Sequence, residues 1–345
     1  MGIVSGRPTL KDVAREAGVH VSTASRALNP ATQSVVNPET LKRVVEAAER
    51  LGYRPHPLAR GLRTNQTMSI GMVIPDVENP LFGPIVAGAE SVLVEEGYSL
   101  LIGNADRGIE HAEAVIQDMI ERHVDGLVLA TATRDDGQLA AATSQGVPVV
   151  LVNRTTDRGD VPAIIGDDHA GIALAVDHLV SLGHRRIGHV AGPSWVSTGH
   201  DRRQGFVAAM ERHGLYAGPD VIEEAEGYQV EPGAAAASAL LERHPDTTAI
   251  VAANDLLALG CYRAIRSLGK EVGSDISVTG YNDIPLLDLM QPPMTAVRVP
   301  HRQMGAEAAA TLLAMIAGTE HTRGTKRLTP TLVVRGSTAP PRTAS

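Results

Sequence analysis

Residues Thr9 to Asn29 read TLKDVAREAGVHVSTASRALN. Thr9 with Asp12 three positions on has the form of a capping box, so a helix opens there. Leu10, Val13, Ala14 and Ala17 recur at helical spacing, and Gly18 stops the run. Helical character resumes over Val21–Leu28. Two short helices joined by a turn containing Gly form the helix-turn-helix pattern, although an ordinary αα-hairpin has the same spacing. Charge favours the first reading. Residues 1–67 carry ten Lys and Arg against five acids, a surplus of five positive charges. The rest of the chain carries twenty-one against thirty-four, thirteen negative, and the whole is −8. A basic head on an acidic body implies that the head meets a polyanion and the body does not.

Moving outward, Asn37 caps a third helix, with Pro38 at its first position and Glu39 complementing its dipole. Leu41, Val44, Val45, Ala48 and Leu51 form its apolar stripe, and Gly52 ends it. Residues 53–66 contain Pro55 and Pro57 and at most about two helical turns, too few to be stable alone in water. From Met68 the pattern alternates. Strands are expected at Ser69–Ile74, Ser99–Ile102, Gly126–Ala130, Pro148–Val152, Ala163–Ile165, Arg186–Ala191, Ala249–Ala252 and Ser277–Tyr281. Helices are expected at Ile85–Glu96, Ala112–Arg122, Ala170–Leu182, Arg202–His213, Gly233–Arg243 and Leu256–Leu268. This alternation implies parallel sheets with helices on both faces, in two doubly wound lobes whose ligand lies beyond the carboxyl ends of the strands.

Composition excludes several classes. The 345 residues are 43% hydrophobic, which fits two or three soluble domains. No apolar run reaches the roughly 18–20 residues of a membrane span, and Met1–Leu10 has no signal-peptide core. One cysteine, Cys261, permits neither an internal disulfide nor a thiolate metal cage, so a cytoplasmic protein is expected. No G-x-G-x-x-G follows the first strand, and no phosphate-loop or nucleophile-elbow motif occurs, so enzyme readings lack their machinery. The thirteen histidines show no H-x-x-x-H or H-E-x-x-H spacing, and no metal or cofactor is expected. The tail Gly336–Ser345 carries no leucine heptads.

Thr9–Val19, Ser25-Arg26-Ala27-Leu28-Asn29 and Leu51-Gly52-Tyr53-Arg54-Pro55 resemble the lactose-repressor (LacI/GalR) family of bacterial transcription regulators. So do Asn79-Pro80-Leu81-Phe82, Gly183-His184-Arg185-Arg186-Ile187, Ala253-Asn254-Asp255, Gly280-Tyr281-Asn282-Asp283 and Val334–Thr338. The resemblance spans nearly the whole chain in one order. It implies an all-α helix-turn-helix head at 1–55, a hinge at 56–66, and a two-lobed α/β core like periplasmic sugar-binding proteins at 67–345. Lobe 1 takes about 67–165 and 298–325, and lobe 2 about 166–297 and 326–340.

The implied DNA-binding set is Thr9, Val21, Ser22, Thr23, Ser25, Arg26, Asn29, Asn37, Ala59 and Leu62. Val21, Ser22 and Arg26 would meet base edges in the major groove, and an Arg–guanine pair is worth about 1–3 kcal/mol of discrimination. Thr23, Ser25, Asn29 and Asn37 suit phosphates. Leu62, beside Ala59 and Leu58, would wedge into the central minor groove and kink the duplex. Two positions depart from the family: His20 stands where Ser usually caps the second helix, and His56 where Asn is common.

The implied effector set is Phe82, Trp195, Thr198, Arg202, Tyr228, Asn254 and Asn282, with Asp76 and Asn153. Aromatic faces against sugar C–H groups, with polar groups for the hydroxyls, make a carbohydrate pocket. Simpler readings stay open for three: Asn254 and Asp255 as helix caps, Arg202 paired with Asp201 or Glu211, and Tyr228 in the core. The expected partners are a pseudo-palindromic operator DNA, a small-molecule effector such as a sugar, and a second copy of the chain, with no membrane. The competing functions are a sugar-capture protein, which the basic head argues against, and an α/β enzyme.

Overall fold

The computed structural model describes residues 8–29, 32–53, 66–106, 108–135, 137, 139, 142–143, 145–319 and 324–342. The chain divides at Met68 into two units. Among its described residues the first holds three α-helices: α1 (Leu10–Glu16), α2 (Val21–Ala27) and α3 (Pro38–Leu51). The capping box at Thr9 and Asp12 is formed, and Gly18 and Gly52 take the left-handed conformation that stops α1 and α3. Asn37 accepts the Glu39 N–H at 2.9 Å.

Val13, Ala14, Ala17, Ala24, Ala27, Val44, Ala47 and Ala48 form the core of the head. Alanines dominate because helices this short must approach closely to bury anything. On α3 the buried stripe is Val44, Ala47 and Ala48; Val45 and Leu51, expected inside, lie at its exposed edges. The hinge positions Leu58, Ala59 and Leu62, and His56, lie outside the described residues.

In the second unit the strands are β1 (Ser69–Ile74), β2 (Ser99–Asn104), β3 (Gly126–Leu129), β4 (Val149–Val152), β5 (Ala163–Gly166), β6 (Ile187–Ala191), β7 (Ile222–Glu224), β8 (Ala249–Ala252), β9 (Ser277–Asn282), β10 (Thr295–Arg298), β11 (Thr325–Leu328) and β12 (Thr331–Val333). They build two six-stranded sheets, in the orders β11-β5-β4-β3-β1-β2 and β12-β10-β9-β8-β6-β7. The first is parallel throughout. The second corrects the all-parallel expectation at one edge, where β12 runs antiparallel to β10. Central strands such as β3, β4 and β8 are buried at every residue, as strands covered on both faces must be.

The helices are α4 (Phe82–Glu95), α5 (Ile109–Glu121), α6 (Asp168–Ser181), α7 (Ser197–Arg212), α8 (Val230–Arg243), α9 (Asp255–Ser267) and α10 (His301–Ile316). The chain passes between lobes three times: after β5, between β10 and α10, and between β11 and β12. Because β11 pairs with β5, the last return falls at 329–330, not near 325. Helix α10, which the sequence pattern did not reveal, packs on α4 and over β3–β5. Among the described residues no helix is long and apolar enough to cross a membrane.

Candidate functional site

In the head, Val21, Ser22, Thr23, Ser25 and Arg26 all lie on α2, with Asn29 just beyond its end. Ala24 and Ala27 face the core, which leaves Ser22 and Arg26, one turn apart, exposed together. The Arg26 guanidinium has no carboxylate partner among the described residues, so its fork is available to an outside acceptor. His20 does cap α2: its Nδ1 accepts the Ser22 N–H at 3.3 Å and lies 2.8 Å from the Ser22 hydroxyl. A ring nitrogen replaces the hydroxyl that usually does this. Thr9 and Asn37 spend their side chains as helix caps.

In the core, a cleft enclosing about 280 Å³ opens where the carboxyl ends of both sheets face each other. All nine positions proposed from sequence line it. Asp76 follows β1, Asn153 follows β4, Thr198 opens α7 after β6, Asn254 follows β8, and Asn282 ends β9. Phe82 begins α4 and is buried, Tyr228 lies on the loop after β7, and Trp195 is 52% exposed at the mouth. Gly192 matters here, because a Cβ on it would fall 2.4 Å from the Tyr228 ring. Only a residue without a side chain leaves room for the ring there.

Arg202 is the most constrained group of the site, 4% exposed. Its Nε donates to Asp168 at 2.9 Å, its Nη1 donates to the Ala253 carbonyl at 2.7 Å, and its guanidinium lies 4.0 Å from the Tyr281 ring centre. The partner is Asp168, not Asp201 or Glu211. Burial works against the Arg202 charge, yet Asp168 beside it holds its pKa above the ordinary arginine value. Asn254 is a helix cap and also lines the cleft. Its Oδ1 accepts the Leu257 N–H at 2.7 Å and caps α9, while its Nδ2 donates to the Tyr228 carbonyl at 3.3 Å. The Tyr228 hydroxyl lies 3.0 Å from Thr198 Oγ1, and burial raises its pKa. Asp255, behind Asn254, is pushed well above the usual carboxyl range by burial and by the charge of Asp283.

Sequence reasoning missed Arg154, Glu226 and Gln229, which also line the cleft. Arg154 follows Asn153 directly past the end of a strand, and that position was the signal to be read. Two non-glycine residues of the cleft, Asn153 (φ 65°) and Asn282 (φ 110°), hold left-handed backbone where β4 and β9 end. Among the described residues no group of His, Cys, Asp and Glu is placed to hold a metal ion.

This combination of a three-helix head and a cleft between two parallel-sheet lobes has relatives. Residues 9–56 match the model of bacterial regulatory proteins of the lacI family, and residues 176–338 match a periplasmic binding protein-like domain. The transcriptional regulator MalR of Streptomyces coelicolor is 38% identical over 96% of this chain and 96% of its own. The transcriptional repressor CytR of Escherichia coli is 31% identical at the same coverage of both chains. The chain belongs to the LacI family of bacterial regulators. Among solved structures, a lac repressor dimer bound to operator and an anti-inducer superposes with a TM-score of 0.86 at 29% identity, covering 97% of this chain and 100% of that one. A CelR–cellobiose complex gives 0.74 at 32% identity, covering 96% and 100%. This LacI-family chain is therefore a DNA-binding transcriptional regulator, with its exposed Ser22 and Arg26 on the second helix of the motif and its cleft in the binding-protein-like core.

Proposed function

We propose that the protein represses transcription by binding a pseudo-palindromic operator as a homodimer, and that a carbohydrate in the core cleft sets its operator affinity. The observation that carries this reading is the cleft itself. Three aromatic side chains and Thr198, Arg202, Asn254 and Asn282 converge on one space at the ends of both sheets. Apolar walls with a few fixed polar groups suit a sugar. The relatives support the class: one solved neighbour holds cellobiose and another ribose. The dimer follows from recognition, since one head reads a half-site too small for specificity. Leu62 is the proposed minor-groove wedge.

A gel-shift titration with the gene's own upstream DNA, with and without a sugar panel, tests the whole reading. Arg26→Ala removes one base contact from each half-site, two per homodimer, so it should reduce the preference for operator over random DNA by about 30-fold or more and leave sugar binding alone. Asn282→Ala should leave operator binding alone and weaken the response to sugar. It is a cleaner probe than Arg202→Ala, which would also strand Asp168 in the interior at about 3–5 kcal/mol. An Arg26→Ala protein that keeps its operator preference would remove α2 as the reading helix.

A further inference from the structure

We infer that the occupant of the cleft carries an acidic group, a phosphate or a carboxylate, seated on Arg154. This rests on reading the cleft as a carbohydrate site and narrows the carbohydrate to an acidic one. Two arginines are buried among the described residues, Arg154 and Arg202. Arg202 has Asp168. Arg154 is 8% exposed, its Nε has no hydrogen-bond partner, and no ion pair among the described residues includes it. Its backbone N–H turns back to the Val152 carbonyl at 2.7 Å, and the left-handed Asn153 aims the chain at the cleft that Arg154 lines.

Burial lowers the Arg154 pKa from its ordinary value; Tyr228 beside it works the other way, and the nearby charge of Arg202 adds to the lowering. An arginine nevertheless stays protonated in proteins. A buried cation without a counter-ion is costly, and the described residues supply none. The acids that share the cleft are Asp76, Asp106 and Glu226. Asp106 and Glu226 are exposed. Asp76 is half-buried, and its Oδ1 accepts the Glu78 N–H at 2.8 Å. The buried charge left unanswered is therefore positive, and the rim is acidic. Asn282 adds a buried Oδ1 with no partner, an acceptor awaiting a hydroxyl. An anionic oxygen pair for the guanidinium fork and a hydroxyl for Asn282 together describe an acidic sugar, either a sugar phosphate or a sugar acid.

Calorimetry on the full chain should compare glucose, galactose and ribose with glucose 6-phosphate, ribose 5-phosphate, glucuronate and galacturonate. At least one anionic member should bind tenfold or more tighter than its neutral counterpart, and the winning arm separates phosphate from carboxylate. Arg154→Met should erase that preference, and Arg154→Lys should keep part of it. Without any sugar, Arg154→Met should melt higher than the parent in low-salt buffer, because an unpaired buried charge is gone. Inorganic phosphate should raise the melting temperature of the parent more than that of the variant. The inference falls if a neutral sugar binds as tightly as its acid or phosphate. It also falls if Arg154→Met keeps the preference, or melts lower than the parent. Operator release by neutral sugars alone would keep the proposed function and sink this inference. An anionic sugar that binds through Arg154 without altering operator affinity would do the reverse.

Discussion

At the scale of single residues, burial decides what each polar group does. His189 stacks on Phe206 with ring centres 4.8 Å apart and donates from Nδ1 to the Val251 carbonyl at 2.7 Å, while its Nε2 has no partner. Burial lowers its pKa to about 4, and lowers that of His301 to about 3. Both imidazoles are neutral when folded and take up a proton near pH 6.5 when unfolded. Between those limits the unfolded state binds more protons, so stability is fully present above about pH 6.5 and is lost as pH falls. At pH 5 each contributes a slope of about 1.4 kcal/mol per pH unit. Asp255 works in the opposite direction, since burial raises its pKa and the folded state then holds the extra proton. Denaturant melts of His189→Phe at pH 7 and pH 5 should show a loss on acidification smaller than the parent's by about one such step; an unchanged loss would mean that His189 titrates normally. Residues legible in the sequence share one property: they sit in recognisable motifs past strand ends. Arg154 also sits past a strand end, where it could have been read; what only packing reveals is that it is buried and its Nε has no partner among the described residues.

At the scale of elements, the same limit explains which segments were readable. Strands such as Ser69–Ile74 and Ala249–Ala252 match their expected bounds, because runs buried on both faces are continuous and apolar. Helix α10 escaped because Gly305–Met315 is small or apolar on nearly every face, which leaves no polar stripe to mark a period. β11 escaped as a short edge strand, Thr-Lys-Arg-Leu, exposed at its middle two residues. The contact that fixes α10 is backbone to backbone. A Cβ on Gly305 would fall 1.9 Å from the Ile85 carbonyl oxygen, and one on Gly88 would fall 2.0 Å from that of Arg302. Two effects compete in Gly305→Ala. Helix propensity favours alanine by about 1 kcal/mol. The clash is with main chain, which no rotamer relieves, so α4 and α10 must separate at a cost of about 1–3 kcal/mol. The contact should win, and Gly305→Ala should lower the melting temperature, whereas an exposed helical glycine would raise it. A melting temperature at or above the parent's would show that the helices part freely.

At the scale of the whole core, the two lobes are joined by three crossings and fastened across the mouth of the cleft. Arg134, after β3 in the first lobe, donates its N–H to the Trp195 carbonyl at 3.1 Å and its Nη1 to the Ser194 carbonyl at 3.3 Å. Asp157, also of the first lobe, holds the Arg134 guanidinium through two bonds of 2.9 and 3.0 Å. Beside them the Thr155 N–H reaches Ser197 Oγ at 2.9 Å. Arg134 and Asp157 are partly exposed, so each cross-lobe bond is worth only about 0.5–1.5 kcal/mol. That is small against the stability of the fold but comparable to the 1–3 kcal/mol by which an effector couples to a distant site. Arg134→Ala removes the guanidinium bond and frees Asp157, so it should favour separated lobes. If only the closed arrangement holds the effector, apparent effector affinity should fall about 2–12-fold, with little change in thermal stability. Linkage adds a stricter condition, because effector and operator must alter each other's affinity by the same factor. Calorimetry of the effector with and without operator, set beside operator titrations with and without effector, should give equal ratios in the parent and again in Arg134→Ala. Unchanged effector affinity in the variant would show that the mouth contacts do not govern closure, and ratios of one in both titrations of the parent would show that cleft and head are not coupled.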